Sequence, residues 1–327
     1  MRLLVTGGAG YIGAVVARRL RDSGHQVFIV DDLSTGHREA VQGFDLTVAD
    51  FGDRRLITEM VAAKKIDGVI HFAASALVGE SVQNPARYYR NNLERSLALL
   101  DVLRERGVAR LVFSSSAAVY GEPVAIPIDE SHPTRPTNPY GETKLAFETA
   151  LRWYHAAHGL SFVSLRYFNA AGATVDGVLG EVHEPETHLV PNVLRAARAS
   201  EAVPVFGTDY ATPDGTAVRD YVHVEDLAEA HLRALEMLAK TGAGAVFNLG
   251  NGAGFSVMQV IEAARRVTGR SIPVRQAPRR PGDPETLVAS SDRARRELGW
   301  SPRCHELESI LETAWRFALA RPDGYRS

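Results

Sequence analysis

Short apolar runs alternate with helical patterns through the first half of the chain. Each run suits one buried strand: RLLVT, QVFIVD, DLTVAD, GVIHFAA, RLVFSSS and FVSLRYFN. Runs that are apolar on both sides are typical of a parallel sheet covered on both faces. Between them, helices are predicted at 11–23, 53–64, 84–106 and 140–158. These repeated units predict a Rossmann-type, doubly wound α/β fold that binds ligands at the carboxyl ends of its strands.

The pattern changes after about residue 170. The stretch GATVDGVLGEVHEPETH reads as a loop, and the strands beyond it are shorter: VPVF, AVFNLG and IPVRQAP. Helices are predicted at 189–200, 224–239, 256–268 and 305–320. We therefore expect a cofactor-binding domain over 1–170 and a smaller α/β substrate lobe over 171–327, with some segments of the lobe returning to the first domain.

Charge and cysteine content exclude several classes of protein. A formal net charge of -2 provides no basic surface for nucleic acid. The one cysteine, Cys304, can form no internal disulfide and no thiolate metal site, which fits a reducing cytoplasm. No stretch approaches the roughly 20 apolar residues of a membrane span. We predict a globular cytoplasmic protein with neither nucleic acid nor membrane as a partner.

A glycine motif follows the first predicted strand. Gly7, Gly10 and Gly13 lead into the first helix, where glycines permit a tight turn and close approach of a pyrophosphate to free N–H groups. Asp31 ends the second strand, where a carboxylate receives ribose hydroxyls. Asp31 and the adjacent Asp32 would repel the extra phosphate of NADP, so NAD is predicted. The alternative is that the glycines ease packing and Asp31 only begins a turn.

Two later strand ends add to this cofactor hypothesis. Asp50 follows the third strand, and HFAA, residues 71–74, follows the fourth. Carboxyl ends of parallel strands meet at one edge of a sheet. We therefore expect these residues near the adenine and ribose of the dinucleotide.

The segment NPYGETKLAFE places Tyr140 and Lys144 four residues apart. Such a pair shares one helix face. A free tyrosine has a pKa of about 10, and a nearby ammonium together with the positive nicotinamide ring would lower it. Ser116, at the end of the fifth strand, could hydrogen-bond the substrate hydroxyl that Tyr140 deprotonates. Alternatively, the pair lies on an exposed helix face and the serine caps a turn.

In this order, these motifs resemble the extended short-chain dehydrogenase/reductase superfamily and, within it, the UDP-glucose 4-epimerase family. The resemblance covers nearly the whole chain and includes VGESVQNPARYYRNN, LRYFNAAGA, PVFGTDYATPDGTAVRDYVHVEDLAEAH, NLGNG and APRRPGDP. It implies that Ser116, Tyr140 and Lys144 are catalytic. It implies NAD contacts at Gly7, Gly10, Tyr11, Ile12, Gly13, Asp31, Asp50, Phe51, Phe72, Ala73, Ala74, Asn91, Lys144 and Phe168.

The same resemblance implies a site for a UDP-sugar. Arg219 and Arg280 would bind the diphosphate, with Arg279 as a possible substitute for Arg280, and Asp283 would lie beside the uridine ribose. The implied substrate contacts are Ser116, Tyr140, Asn169, His188, Leu189, Phe206, Arg219, Arg280, Asp283 and Leu287. Neither His223 nor any other histidine shows metal-ligand spacing along the sequence, so no metal is predicted.

The resemblance implies interconversion of UDP-glucose and UDP-galactose through C4 oxidation, rotation of a 4-keto intermediate and re-reduction. It also implies a homodimer formed by helices 84–106 and 140–158. Alternatives are a 4-epimerase of UDP-N-acetylglucosamine/galactosamine or UDP-glucuronate, a 4,6-dehydratase and a non-catalytic NAD sensor. Alanines follow the serine cluster where dehydratases carry an Asp-Glu pair. The sequence departs from the family pattern at Ala76, His188 and Leu287. Of these, Leu287 would form the wall of the sugar pocket.

Overall fold

The computed structural model describes residues 1–280 and 283–325. The strands are β1 (Arg2–Thr6), β2 (Gln26–Asp31), β3 (Asp45–Val48), β4 (Gly68–His71), β5 (Arg110–Ser116), β6 (Ser161–Tyr167), β7 (Asn169–Ala171), β8 (Val203–Phe206), β9 (Val218–Arg219), β10 (Tyr221–His223), β11 (Gly244–Leu249), β12 (Phe255–Ser256), β13 (Val274–Ala277) and β14 (Thr286–Leu287). The α-helices are α1 (Tyr11–Asp22), α2 (Arg54–Lys64), α3 (Val78–Gln83), α4 (Pro85–Tyr88), α5 (Arg95–Arg106), α6 (Pro139–His158), α7 (Leu189–Ala199), α8 (Val224–Thr241), α9 (Val257–Thr268) and α10 (Leu307–Ala320).

Seven parallel strands form the central sheet, in the order β11-β6-β5-β4-β1-β2-β3. The chain runs from β1 outward to β3 and then returns to β4 on the other side of β1. Loops leaving the carboxyl ends of β1 and β4 therefore diverge, and such a reversal is where doubly wound sheets bind their ligands. The sheet thus places a ligand crevice beside the glycine motif.

Helices cover both faces of this sheet. On one face, α1 and α8 pack together over apolar residues of the strands. On the other face, α2, α5 and α6 enclose a second core. Because both faces are covered, the inner strands are largely apolar and buried, as predicted. The prediction of a buried strand at DLTVAD is wrong, because β3 lies at the edge of the sheet with Asp45 and Val48 exposed.

Most predicted strands and helices lie within a few residues of the observed ones. The predicted helix over 84–106 is an exception, because it is divided. Asn84 accepts the backbone N–H of Arg87 (3.4 Å) and begins α4, and the π-helical segment Tyr89–Glu94 then joins α4 to α5. Side chains that cap a backbone favour such a break in a helical pattern.

Short strands form the substrate lobe. β7 pairs with β10, β8 with β13, and β9 lies between β12 and β14. A third core lies among α7, α9 and α10. The sequence analysis placed the strand AVFNLG in this lobe. In the structure this strand is β11, which pairs with β6 in the central sheet. The domain division at residue 170 stays a prediction. No helix in the described part of the chain is long and apolar enough to cross a membrane.

Two buried histidines of the first domain remain neutral in the folded protein. His71 lies between the hydroxyls of Thr6 (2.6 Å) and Ser96 (2.9 Å), and burial lowers its pKa to about 3. His231 lies against the ring of Phe72, at 4.8 Å between ring centres, and burial lowers its pKa to about 4. The unfolded chain therefore binds protons below about pH 6.5 that the folded chain does not.

We expect the free energy of unfolding to fall as pH is lowered from about 6.5. Between pH 6.5 and 5, each of these histidines should cost about 2 kcal/mol, since one pH unit corresponds to about 1.4 kcal/mol. His231→Phe should remove its share, because phenylalanine binds no proton; the variant loses only the Nδ1 hydrogen bond to the carbonyl of Leu227 (2.8 Å), since Nε2 has no partner. Urea unfolding at both pH values checks this. An equal loss in wild type and variant would contradict it.

Candidate cofactor and active site

The glycine turn after β1 lies tightly against the chain that follows β4. Gly7 has a φ of +71°, and its N–H donates to the carbonyl of Val30 (2.9 Å). A Cβ atom on Gly7 would lie 2.5 Å from the backbone N of Ala73. Gly10 begins α1, and no side chain caps that helix. The turn therefore presents backbone N–H groups at the crevice, as a pyrophosphate requires.

Gly7→Ala is expected to abolish retention of NAD through purification. The added methyl would collide with backbone atoms, so the turn must move. Gly24→Ala is the matched control, because Gly24 has a φ of +83° but nothing within 4 Å of its Cβ position. The control should lose about 1–2 kcal/mol of stability from the left-handed backbone alone and keep its cofactor. NAD released on denaturation is measured by absorbance, and equal retention in both variants would refute a close-approach role for Gly7.

Asp31 lies beside this turn. Its carboxylate accepts the N–H groups of Ala9 and Leu33, both at 2.9 Å, and burial raises its pKa. The bond to Leu33 also begins the turn that the alternative interpretation proposed. Asp31 therefore serves the local turn and still places its carboxylate at the crevice. Asp32 caps the N–H of Ser34 (2.9 Å).

The first residues of α1 connect the two halves of the chain. Tyr11 donates its hydroxyl to the carbonyl of Gly172 (2.6 Å). Ile12 packs against the core beneath α1, and Gly13 is buried there. These contacts fix the beginning of α1 below the glycine turn.

Other predicted cofactor residues occupy neighbouring strand ends. Asp50 pairs with Arg95 (2.8 Å) and accepts the N–H of Gly52 (2.8 Å), while Phe51 is buried. The N–H groups of Phe72 and Ala73 donate to the carbonyl of Thr6 (2.9 and 3.1 Å), and Ala74 follows them, partly buried. These positions share the carboxyl edge of the sheet, as expected.

Asn92 is a site residue that the sequence analysis missed. The predicted contact, Asn91, accepts from Arg95 (2.7 Å) and donates to the Ser75 hydroxyl (3.3 Å). Asn92 is buried; it accepts the N–H of Ser75 (2.8 Å) and donates to the Thr143 hydroxyl (3.2 Å). It thus ties the loop after β4 to α6 beside Lys144. The signal was the second asparagine of YYRNN, a residue type unusual inside a helix.

Local sequence determines where α6 begins. The side chain of Asn138 accepts the N–H of Gly141 (2.9 Å), and Pro139 occupies the first helical position, where its missing N–H costs nothing. Tyr140 therefore lies in the first turn, and Lys144 lies one turn later on the same face.

Tyr140, Ser116 and Lys144 meet at the end of β5. The Ser116 side chain lies close enough to Tyr140 to lower the pKa of its hydroxyl by hydrogen bonding to the phenolate. Lys144 is 3% exposed, and its Nζ donates to the carbonyl of Ser114 (2.7 Å), 5.8 Å from the centre of the Tyr140 ring. The structure thus brings together the three side chains that the sequence proposed as catalytic.

The lowering of the Tyr140 pKa stays a prediction, because it depends on the positive nicotinamide ring as well as on the protein's own residues. Burial raises the pKa of Tyr140, and the hydrogen bond from Ser116 opposes this only in part. Burial also lowers the pKa of Lys144 to about 7, against the attraction of Glu148. Burial thus outweighs the attraction between neighbours, and a lower Tyr140 pKa requires the positive nicotinamide ring that the sequence argument also invoked.

A buried ion pair supports this face of α6, and the sequence analysis missed it. Glu148 is fully buried and lies 2.5 Å from Arg166, which is 3% exposed. Ser115 donates to Glu148 (2.5 Å), and Arg166 donates to the Tyr120 hydroxyl (2.9 Å). The signals were an arginine inside a buried strand and the spacing of Glu148 from Lys144.

Phe168 and Leu287 lie beside the segment that follows β5, and Asn169 begins the next short strand. Asn169 begins β7, and its N–H donates to the carbonyl of Asp220 (2.9 Å). Phe168 and Leu287 both pack against a buried cluster that contains Tyr120. A residue of the substrate lobe thus joins the active-site side of the first domain.

The two adjacent arginines have different surroundings. The guanidinium of Arg280 lies 4.0 Å from the centre of the Phe206 ring, at the end of β8. Arg279 instead pairs with Asp209 (2.7 Å) and stacks on Tyr210. Arg280 therefore lies beside the predicted uracil strand, which favours it over Arg279.

Arg219 and Asp283, predicted to contact different parts of one nucleotide, form an ion pair. Arg219 also donates to the carbonyl of Val218 (2.7 Å). Their contact brings the predicted diphosphate and ribose ligands to one place.

His188 and Leu189 lie where α7 begins, and His188 belongs to a cluster of possible metal ligands. One ligand atom from each of Glu181, His183, Glu186 and His188 lies within 4.8 Å of the other three. The prediction that the chain binds no metal rested on histidine spacing along the sequence, and it stays a prediction. The loop brings His183 and His188 together with two carboxylates.

Comparison with known proteins agrees with this geometry. The model of the NAD dependent epimerase/dehydratase family matches residues 3–250. The chain belongs to that family. A UDP-glucose 4-epimerase of Halalkalibacterium halodurans is 52% identical over 326 residues, which are 99% of this chain and 98% of the relative.

Two solved structures extend the comparison within the epimerase/dehydratase family. UDP-glucose 4-epimerase from Brucella ovis in complex with NAD has a TM-score of 0.93 at 46% identity, with 96% of this chain and 97% of that chain covered. The enzyme from Bifidobacterium longum in complex with NAD⁺ and UDP has a TM-score of 0.94 at 39% identity, covering 99% and 100%. The predicted Rossmann-type fold and the resemblance to UDP-glucose 4-epimerases are confirmed.

The residues present fit the cofactor of this NAD dependent family. The Gly7 turn packs against the chain after β4 with no room for a Cβ atom, and no side chain caps the N-terminus of α1 beside it, where a pyrophosphate would bind. Asp31 carries a carboxylate at the same crevice. Lys144 is buried at the end of β5, with its Nζ 5.8 Å from the centre of the Tyr140 ring.

Proposed function

We propose that the protein interconverts UDP-glucose and UDP-galactose by oxidising and re-reducing C4 of the sugar. The observation that carries the proposal is the meeting of Tyr140, Ser116 and Lys144 at the end of β5. The glycine turn and Asp31 lie along the same sheet edge. A base for a sugar hydroxyl therefore adjoins a site for NAD.

Tyr140 carries the proton in this reaction. It accepts the proton of the sugar 4-hydroxyl, and Ser116 holds that oxygen by a hydrogen bond. Bound NAD⁺ supplies the two-electron chemistry at C4 and ends the cycle unchanged. The 4-keto sugar rotates about its phosphate linkage, and Tyr140 returns the proton to the oxygen at C4 of the opposite configuration. Lys144 orients the nicotinamide ribose and favours the phenolate.

The substrate lobe binds the nucleotide in this proposal. Arg219 and Arg280 neutralise the diphosphate, because guanidinium groups suit phosphate oxygens. Asp283, paired with Arg219, is held where it can accept a ribose hydroxyl. Phe206, with Arg280 across its ring, lines the uracil. Tight binding of the diphosphate leaves the sugar ring free to rotate.

The rival functions lack support at this site. A 4,6-dehydratase needs an acid and a base after β5, where this chain has Ala117 and Ala118. A sensor of NAD needs no Ser116–Tyr140 pair. Other UDP-sugars would place different substituents against the pocket wall formed by Leu287. The C6 carboxylate of UDP-glucuronate would also need a positively charged group beside it.

The test is incubation of the purified protein with UDP-galactose, without added cofactor, followed by NMR. Formation of UDP-glucose is expected. UDP-N-acetylgalactosamine and UDP-glucuronate are run in parallel. No conversion of UDP-galactose after addition of NAD would refute the assignment, and conversion of another UDP-sugar alone would reassign the substrate.

We also infer a homodimer formed through α5 and α6. Trp153 on α6 is 71% exposed. Tyr89, Leu93 and Leu97 line a groove beside α5. Light scattering should give twice the 35.6 kDa chain mass. Leu97→Glu should shift the measured mass toward that of one chain, while the control Val124→Glu should leave the mass unchanged. A wild-type mass of one chain would exclude the dimer.

A cytoplasmic location also belongs to this proposal. Cys304 is the one cysteine of the chain, and burial raises the pKa of its thiol to about 11, so it is a poor nucleophile. A chain with one cysteine can form no internal disulfide, so an oxidising compartment would not stabilise it. Cell fractionation tests this, and recovery outside the cytoplasm would contradict it.

A further inference from the structure

The loop between β7 and α7 carries four side chains that the proposed reaction does not use as acids or bases. Glu181, His183, Glu186 and His188 lie within eight residues of sequence. Neighbouring contacts hold the loop in place, since the N–H of Gly180 donates to the Tyr325 hydroxyl (3.0 Å). This hydrogen bond anchors the loop to the C-terminal segment of the chain.

The geometry of these side chains approaches a tetrahedral site. His183 Nδ1 lies 3.3 Å from a Glu181 oxygen and 3.5 Å from a Glu186 oxygen. His188 Nδ1 lies 3.4 Å from Glu186 and 2.6 Å from Glu181. With bonds of about 2.0–2.1 Å, the edges of a tetrahedral zinc site measure about 3.3–3.4 Å. Three of the four nitrogen–oxygen distances lie within about 0.2 Å of this value, and the two histidines face different oxygens of the Glu186 carboxylate.

Burial of the two carboxylates demands positive charge. The side chains of Glu181 and Glu186 are 7% and 10% exposed. Two adjacent buried carboxylates need either two protonated imidazoles or one dication.

We propose that Glu181, His183, Glu186 and His188 bind one zinc ion as a closed structural site. Mixed imidazole and carboxylate ligands suit zinc rather than magnesium or calcium, which prefer oxygen. Glu186 is oriented for this role, because it accepts the N–H groups of Thr187 and His188, both at 2.8 Å. His188 is 48% exposed, which gives the ion a route into the site.

The position of the site indicates what the zinc ion does. His188 directly precedes α7, whose first residue is the predicted substrate contact Leu189. The carboxylates also lie close enough to Tyr11 to raise the pKa of its hydroxyl, after the larger effect of burial. The ion would therefore hold the loop between β7 and α7 in one conformation directly before Leu189. Its loss should weaken the fold and UDP-sugar binding together.

The first experiment measures metal content of the full chain, purified without a histidine tag. Elemental analysis should find about one zinc per chain in the wild type. His183→Ala and Glu186→Gln should reduce it at least tenfold. His158→Ala, an exposed histidine at the end of α6, is the matched control and should keep the metal.

The second experiment follows metal binding by the wild-type protein, with Glu186→Gln as the comparison. Wild-type protein is stripped with a chelator and titrated with Zn²⁺ while Tm is followed. A saturable rise in Tm at one equivalent, absent in Glu186→Gln, supports the site. Cobalt added instead should give the visible bands of tetrahedral Co²⁺. If no metal co-purifies and neither ion changes Tm or absorbance, the cluster is held by protonated histidines and the proposal is refuted.

Discussion

Replacing Tyr140 by phenylalanine is expected to lower kcat for UDP-galactose by about 10²- to 10⁴-fold. The ring keeps its place in the first turn of α6, but the hydroxyl that exchanges the proton with the sugar is lost. The interaction of that hydroxyl with the Ser116 side chain disappears with it. Because the glycine turn and Asp31 are untouched, the amount of bound NAD should not change.

The matched control is Tyr154→Phe. Tyr154 lies on the same helix and donates its hydroxyl to Asp101 (2.8 Å), away from the proposed site. Rates of UDP-glucose formation and NAD content are measured for both variants. If Tyr140→Phe keeps a tenth or more of wild-type kcat, a proton-carrying role for this tyrosine is wrong, whatever the substrate.

Breaking the buried ion pair should cause the largest loss of stability. Arg166→Met leaves Glu148 without its cation in a fully buried position, which costs about 3–5 kcal/mol of unfolding free energy. Tyr120 also loses a hydrogen bond to the guanidinium. The double variant Glu148→Leu with Arg166→Met should recover much of the loss, because no uncompensated charge remains.

Chemical denaturation of both variants checks this result. Arg55→Met is the control, since Arg55 forms an exposed i,i+4 pair with Glu59 on α2 and its loss should leave the unfolding midpoint unchanged. An Arg166→Met protein as stable as the control would show that the pair adds nothing. A double variant less stable than Arg166→Met would show that Glu148 acts through Ser115 instead.

Several parts of the fold and site were predictable because their signals are local. Buried strands and helices of the first domain follow from apolar runs and helical periods. Asn138 and Pro139 mark the beginning of α6, which places Tyr140 and Lys144 on one face. The glycine turn and Asp31 follow the strands they should follow. Each of these depends on residues near one another in sequence.

Other parts required side chains from distant segments. Strands β7, β9 and β12 have two or three residues, too few for a period of two to be read. Arg219 meets Asp283 only because β9 and β14 are neighbours. The choice between Arg279 and Arg280 depends on which guanidinium lies over Phe206. The secondary-structure propensities of single residues carry no information about contacts between distant segments.

The sequence by itself therefore determined the fold class, the family and the identity of the proposed catalytic trio, since these depend on periodicity and on short motifs. Only the tertiary structure decided that β11 belongs to the central sheet, because a strand's sequence does not name its partner. It also decided that the chain's own residues raise the pKa of Tyr140 and that four side chains of one loop converge. Burial and convergence are properties of the packed chain, so no local pattern contains them.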